Sequence, residues 1–176
     1  MTSPDLDQTY DIDFQADDAY AAAVDAGDLM RAAAQTLRLA GRRSGGLTIV
    51  ITGDEEVRDL NRTYRQIDAP TDVLSFSEQE SAGEDGPALA LPPELAEEMD
   101  AYLGDIVIAY PYTERQAAAF ANSLRSELRL LVVHGALHLL GYDHDTPQAE
   151  ARMWAAQDAV LVSLGEAPQA ARTYDA

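Results

Sequence analysis

The feature that most constrains this chain is an apolar helix carrying two histidines. Residues 123–140 have helical spacing, with Leu124, Leu128, Leu131, Val132 and Leu139 on one side. His134 and His138 fall four residues apart inside that otherwise apolar run. At roughly 100° per residue they project about 40° from each other on one helix face. Burying two imidazoles without partners costs free energy, so the fold must supply partners. Ordinary packing with hydrogen bonds is one answer and a shared metal ion is the other.

The third histidine favours the metal. His144 follows Gly141, which suits the left-handed turn that ends a helix, so all three histidines of the chain fall within the segment HGALHLLGYDH, 134–144. Three neutral nitrogen ligands leave a fourth tetrahedral position for water, the arrangement of a catalytic zinc site; a structural site is normally closed by four protein ligands. Cysteine is absent, which removes disulfides, cysteine-ligated zinc and cysteine nucleophiles together. Three imidazoles suit zinc, copper, nickel or iron; one zinc ion per chain is the expectation. Metzincin proteases share the spacing H-x3-H-x5-H but carry a glutamate general base directly after the first histidine. Gly135 stands in that place and cannot take a proton, so peptide hydrolysis by that route is disfavoured.

The remaining elements place this helix in a small α+β domain. Residues 7–14 alternate loosely and read as an edge strand, 28–40 as a helix stopped by Gly41, and 47–51 (LTIVI) as a strand. Asp54 is the expected cap of a helix running to about Tyr64. DVLSF (72–76) and YLGDIVIAY (102–110) read as strands, Pro111 as the start of a turn, and 113–121 as a helix. Thr146-Pro147 is a good start for a last helix, 147–164. The acidic stretch 77–100 reads as a loop with one turn of helix near 93–99. The order predicts a single domain over residues 1–165, with a mixed sheet of about four strands packed with helices and a flexible tail at 166–176.

Charge bears on partners. The net charge is −19, which opposes a nucleic-acid partner. Its distribution softens this: residues 1–28 and 78–100 each hold eight acids and no arginine, leaving −3 for the rest. All 12 basic residues are arginine, and Arg58, Arg62 and Arg65 fall on one stripe of a helix. That stripe tracks a nucleic-acid backbone or is a solvated face paired with Glu55 and Asp59. The N-terminus has neither a basic start nor an apolar run, and no stretch approaches a membrane span; a cytoplasmic location without membrane contact is expected.

Three segments together resemble a known family: LNRTYRQIDAPTDVLSF (60–76), LGDIVIA (103–109) and HGALHLLGYDH (134–144) are similar to the YbeY family of bacterial endoribonucleases. The last helix, with Met153 and the pair Gln157-Asp158, matches as well. The resemblance implies an α+β domain, zinc held by His134, His138 and His144, and single-strand-specific RNA cleavage. It implies a role in maturing the 3′ end of small-subunit ribosomal RNA and in ribosome quality control, with the small subunit and its assembly factors as partners. The family's functional arginine maps onto Arg65, so Arg65 and His134 are the catalytic candidates, with Arg62 beside Arg65 for RNA binding. A guanidinium and a metal ion are the groups that best stabilise charge on phosphate oxygens. The nucleophile stays open between water at the metal and the RNA 2′-hydroxyl, and no general base is evident. Asp72, Asp105 and Asp143 are candidates for orienting the ligands. A rival reading is a non-catalytic ribosome assembly factor whose zinc is structural. No pair of aromatics in the sequence is spaced to stack bases.

Overall fold

The computed structural model describes residues 9–78 and 102–167. Strand β1 (Thr9–Ala16) alternates exposed with half-buried residues. Tyr10, Ile12, Phe14 and Ala16 pack on the core, while Asp11 and Asp13 face out. That period of two makes it an edge strand with one wet face. The short helix α1 (Asp18–Ala21) and helix α2 (Ala26–Leu39) carry the chain back to β2 (Ser44–Thr52), which pairs parallel to β1. Helix α3 (Asp54–Arg65) leads to β3 (Val73–Ser77). Strand β4 (Tyr102–Ala109) inserts between β2 and β3, parallel to the first and antiparallel to the second. The sheet is therefore mixed, in the order β1-β2-β4-β3. Helices α4 (Tyr110–Ala119), α5 (Leu124–Leu139) and α6 (Pro147–Ser163) complete the domain.

Three local expectations are corrected. Gly53, not Asp54, caps α3. Asp54 is the first helical residue, and its carboxylate accepts from the Tyr112 amide at 2.9 Å and the Arg115 guanidinium at 2.6 Å, tying α3 to α4. Pro111 does not open a turn; it lies in the first turn of α4, where its missing N–H has no helical partner to lose. Helix α2 begins at Ala26, two residues before the expected start, because the Asp25 carboxylate accepts the Asp28 amide. The acidic segment with its turn near 93–99, and the chain beyond residue 167, lie outside the described residues.

Helices α2 and α5 cover one face of the sheet and α3 the other. Ile106 and Ile108 of β4 join the larger core with Leu29, Leu37, Leu131 and Leu137. Val107 and Ala109 point the opposite way, onto Val57 and Leu74. Helix α5 is central: 11 of its residues are buried. It is docked on α2 by Asp28, which is 2% exposed and accepts from both Arg125 and Arg129. Arg129 also reaches Glu166 past the end of α6. These guanidinium bonds hold the Asp28 carboxyl well below the usual range.

Gly135 is where α5 presses on the sheet. A Cβ there would lie 2.8 Å from Cγ2 of Ile106, a fully buried, β-branched side chain with little room to turn. The absence of glutamate after His134 thus has a packing cause, since any side chain at 135 meets β4. Alanine is the better helix former by about 1 kcal/mol, yet overpacking costs about 1–3 kcal/mol. We expect Gly135→Ala to lower stability by up to about 2 kcal/mol in denaturant unfolding; a gain in stability would refute the close approach.

Candidate metal centre

The three histidines line a cleft of about 1100 Å³. His134 is 4% exposed, and His138 and His144 are half-buried. Ring centroids lie 4.6 Å apart for His134–His138, 5.2 Å for His138–His144 and 6.0 Å for His134–His144. One nitrogen from each falls within 4.8 Å of the others. Helix spacing alone pairs His134 with His138; the third histidine comes from the loop after Gly141, whose φ of 91° turns the chain back.

Hydrogen bonds select the tautomer. Nδ1 of His134 lies 3.1 Å from Oε1 of Gln157, and Nδ1 of His138 lies 3.0 Å from the Tyr142 carbonyl. Both oxygens only accept, so each Nδ1 carries the proton and each Nε2 presents a lone pair. The two Nε2 atoms are 3.1 Å apart. Lone pairs facing each other at that distance repel unless a cation sits between them. Two nitrogens on one tetrahedral zinc would be about 3.3 Å apart, so the donor set fits a metal ion. Trp154 of α6 stacks on His134 and His144, at 5.9 and 6.2 Å between centroids, and walls the site. Gln157, Tyr142 and Trp154 were missed as supports because their roles depend on how α6 and the loop pack on α5.

Electrostatics favour the neutral form of His134 and His138. Burial lowers the His134 pKa to about 3, with His138 a further cause. Burial lowers His138 too, and the Arg65 charge acts in the same direction. Neutral imidazole is the form that ligates.

The other expected residues divide. Arg65 ends α3 and lines the same cleft. The arginine stripe is not uniform: Arg58 forks onto Asp68 at 2.8 and 3.2 Å, and Arg62 binds Asp59 at 2.8 Å. Arg65 makes no ion pair among the described residues. Asp72 is buried and also lines the cleft, and burial raises its pKa. It accepts from the Val73 amide at 2.7 Å and from Gln116 at 3.0 Å, bonds that hold β3 to α4 and involve no histidine. Asp143 accepts the His144 amide at 2.7 Å and shapes the ligand loop. Asp105 is not brought to the histidines. It alternates with Ile106, whose side chain meets Gly135, so it faces the other side of the sheet. There it accepts from the Tyr102 hydroxyl at 2.6 Å, whose pKa is pushed up to about 12 by burial and by Asp105.

These features define a small α+β protein with a cluster of three histidines, lining a cleft, that could hold a metal ion. Comparison with known proteins names the family. The model for Endoribonuclease YbeY matches residues 10–165. The Endoribonuclease YbeY of Moorella thermoacetica is 48% identical over 137 residues, 78% of this chain and 83% of that protein. The one from Roseiflexus castenholzii is 47% identical over 158 residues, 88% of this chain and 92% of that protein. A solution structure of a Thermotoga maritima protein shares the fold, with a TM-score of 0.51 and 22% identity over 92% of this chain and 99% of that one. The chain belongs to the YbeY endoribonuclease family. No helix among the described residues is long and apolar enough to cross a membrane.

Two outcomes test the site. The metal-free protein should lose stability as pH falls from about 6.5 toward about 3. Over that window the unfolded chain binds a proton at residue 134 that the folded chain does not, so stability rises with pH. Melting temperatures measured across the window check this, and a flat profile counts against neutral buried histidine. Gln157→Leu removes the acceptor that orients His134 and should weaken metal affinity by about 10–100-fold, read by competition with a chromogenic chelator.

Proposed function

We propose that this chain is a zinc-dependent endoribonuclease that cuts single-stranded ribosomal RNA in the cytoplasm. In this reading residues 1–165 are the catalytic unit and 166–176 a tail. Its substrate is the 3′ region of small-subunit RNA, and it acts with the small subunit and its assembly factors in maturation and quality control. One observation carries the reading: the histidine nitrogens converge in a cleft that also presents an arginine without an ion-pair partner among the described residues. Membership of the YbeY family supports it.

His134, His138 and His144 would hold the metal, which when bound supplies Lewis acidity toward a phosphate oxygen and water. Arg65 binds the scissile phosphate. Its planar guanidinium donates two parallel hydrogen bonds to phosphate oxygens and offsets the charge that grows on them in the transition state. Arg62, engaged by Asp59, adds positive potential beside it without a fixed contact. Asp143 keeps the His144 loop in its ligating shape, and Asp72 keeps the cleft wall closed on α4. Peptide hydrolysis finds no support, because the position a metzincin gives to glutamate is packed against Ile106.

The test is cleavage of single-stranded ribosomal RNA by protein loaded with zinc. His134→Ala should abolish cleavage, and Arg65→Ala should lower kcat about 100–1000-fold, whereas Arg62→Ala should change it little. A 2′,3′-cyclic phosphate on the product would identify the RNA 2′-hydroxyl as nucleophile. Protein that holds one metal ion yet leaves RNA intact would instead be an assembly factor with a structural site.

A further inference from the structure

The cleft carries a feature that phosphate chemistry does not use. Tyr64, in the last turn of α3, is 67% exposed, the most exposed large hydrophobic side chain among the described residues. Its ring meets that of Phe76 on β3, with centroids 5.2 Å apart and planes at 64°. Both rings line the cleft that holds the three histidines, and Tyr64 directly precedes Arg65. Phe76 is anchored, since it packs on the small core of Val57, Leu74, Val107 and Ala109. The edge contact therefore fixes the orientation of Tyr64 while its exposure leaves ring surface to solvent.

We propose that Tyr64, braced by Phe76, is the platform on which an unpaired RNA base stacks, and that this contact selects single strands for the cleft. The inference rests on the nuclease reading and adds residues that determine specificity. A base in a duplex already has both faces covered by its neighbours, so an aromatic platform reads only bases that are free to leave the stack. A ring held in place loses little conformational entropy on stacking. Arg65, one residue on, takes the phosphate of the same nucleotide, so base and backbone are gripped from one helix end. The two aromatics lie 12 positions apart in the sequence and meet only because α3 folds over β3.

The experiment compares the parent with Tyr64→Phe, Tyr64→Leu and Tyr64→Ala, all loaded with zinc, on a single-stranded RNA oligomer and on the same oligomer annealed to its complement. Tyr64→Phe keeps the ring and should stay within about threefold of the parent. Tyr64→Leu and Tyr64→Ala should raise KM for the single strand about 5- to 150-fold, leave kcat within a few-fold, and narrow the preference over duplex. Because Tyr64 is exposed, melting temperatures should stay equal across the set. A single-strand KM for Tyr64→Leu equal to the parent's overturns the proposal while leaving the nuclease reading intact. If the parent cleaves no RNA, the nuclease reading fails, and a binding measurement still decides the platform. A 2-aminopurine base in the oligomer should be quenched on binding by the parent and by Tyr64→Phe but not by Tyr64→Leu; equal quenching by all refutes it.

Discussion

The approach of α5 to β4 sets the geometry of the cleft. Glycine at 135 lets the helix backbone settle onto Ile106, and that contact fixes which way the next residues point. With position 135 turned to the sheet, His134 and His138 are rotated toward the cleft and toward α6. Helix α6 can then bring Gln157 and Trp154 against the imidazoles. The Asp28–Arg129 pair locks the first turns of α5 to α2, so the helix cannot slide along the sheet and carry the ligands off register. Buried pairs of this kind cost desolvation and give back orientation.

Topology sets part of the chain's acidic charge, which opposes an RNA partner, apart from the cleft. The acids described in β1 lie on its outer face, at the sheet edge opposite β3. Three strand spacings separate β1 from β3, on the order of 14 Å, while charges in physiological salt are screened over about 8 Å. The acids of β1 are therefore screened from the cleft wall built from β3 and α3. There the arginines are sorted by partner: Asp68 and Asp59 take Arg58 and Arg62, and Arg65 has no ion-pair partner among the described residues.

The histidine spacing, with glycine after the first and glycine before the turn, made the candidate metal ligands legible because helix geometry translates i and i+4 into one face. Strands β1, β2, β3 and β4 were legible because their alternation or apolar density is local, and so was the mixed α+β architecture. Strand order was not legible. Residues 102–109 fall between two strands that precede them, a pairing set by which apolar faces fit. The acid in LGDIV could not be assigned a side from its neighbours, since the chain is apolar on both faces there; the register of β4 turned Asp105 away from the histidines. The N-cap of α3 was misread by one residue because Asp54 has a better use, binding Tyr112 and Arg115 across α4.

What the sequence alone determined is local: helix periods, turn residues and the grouping of the three imidazoles. Each follows from spacing along the backbone, which is the same in any fold, whereas Arg65 stood out only through the family resemblance. What only the tertiary structure decided is every relation between segments far apart in the chain. Gln157 reaches His134, Tyr64 meets Phe76, and Asp28 pairs with Arg129. These contacts arise when the core closes and leaves one arrangement in which the buried polar atoms find partners. That arrangement is a property of packed volume, and no pattern along the chain records it.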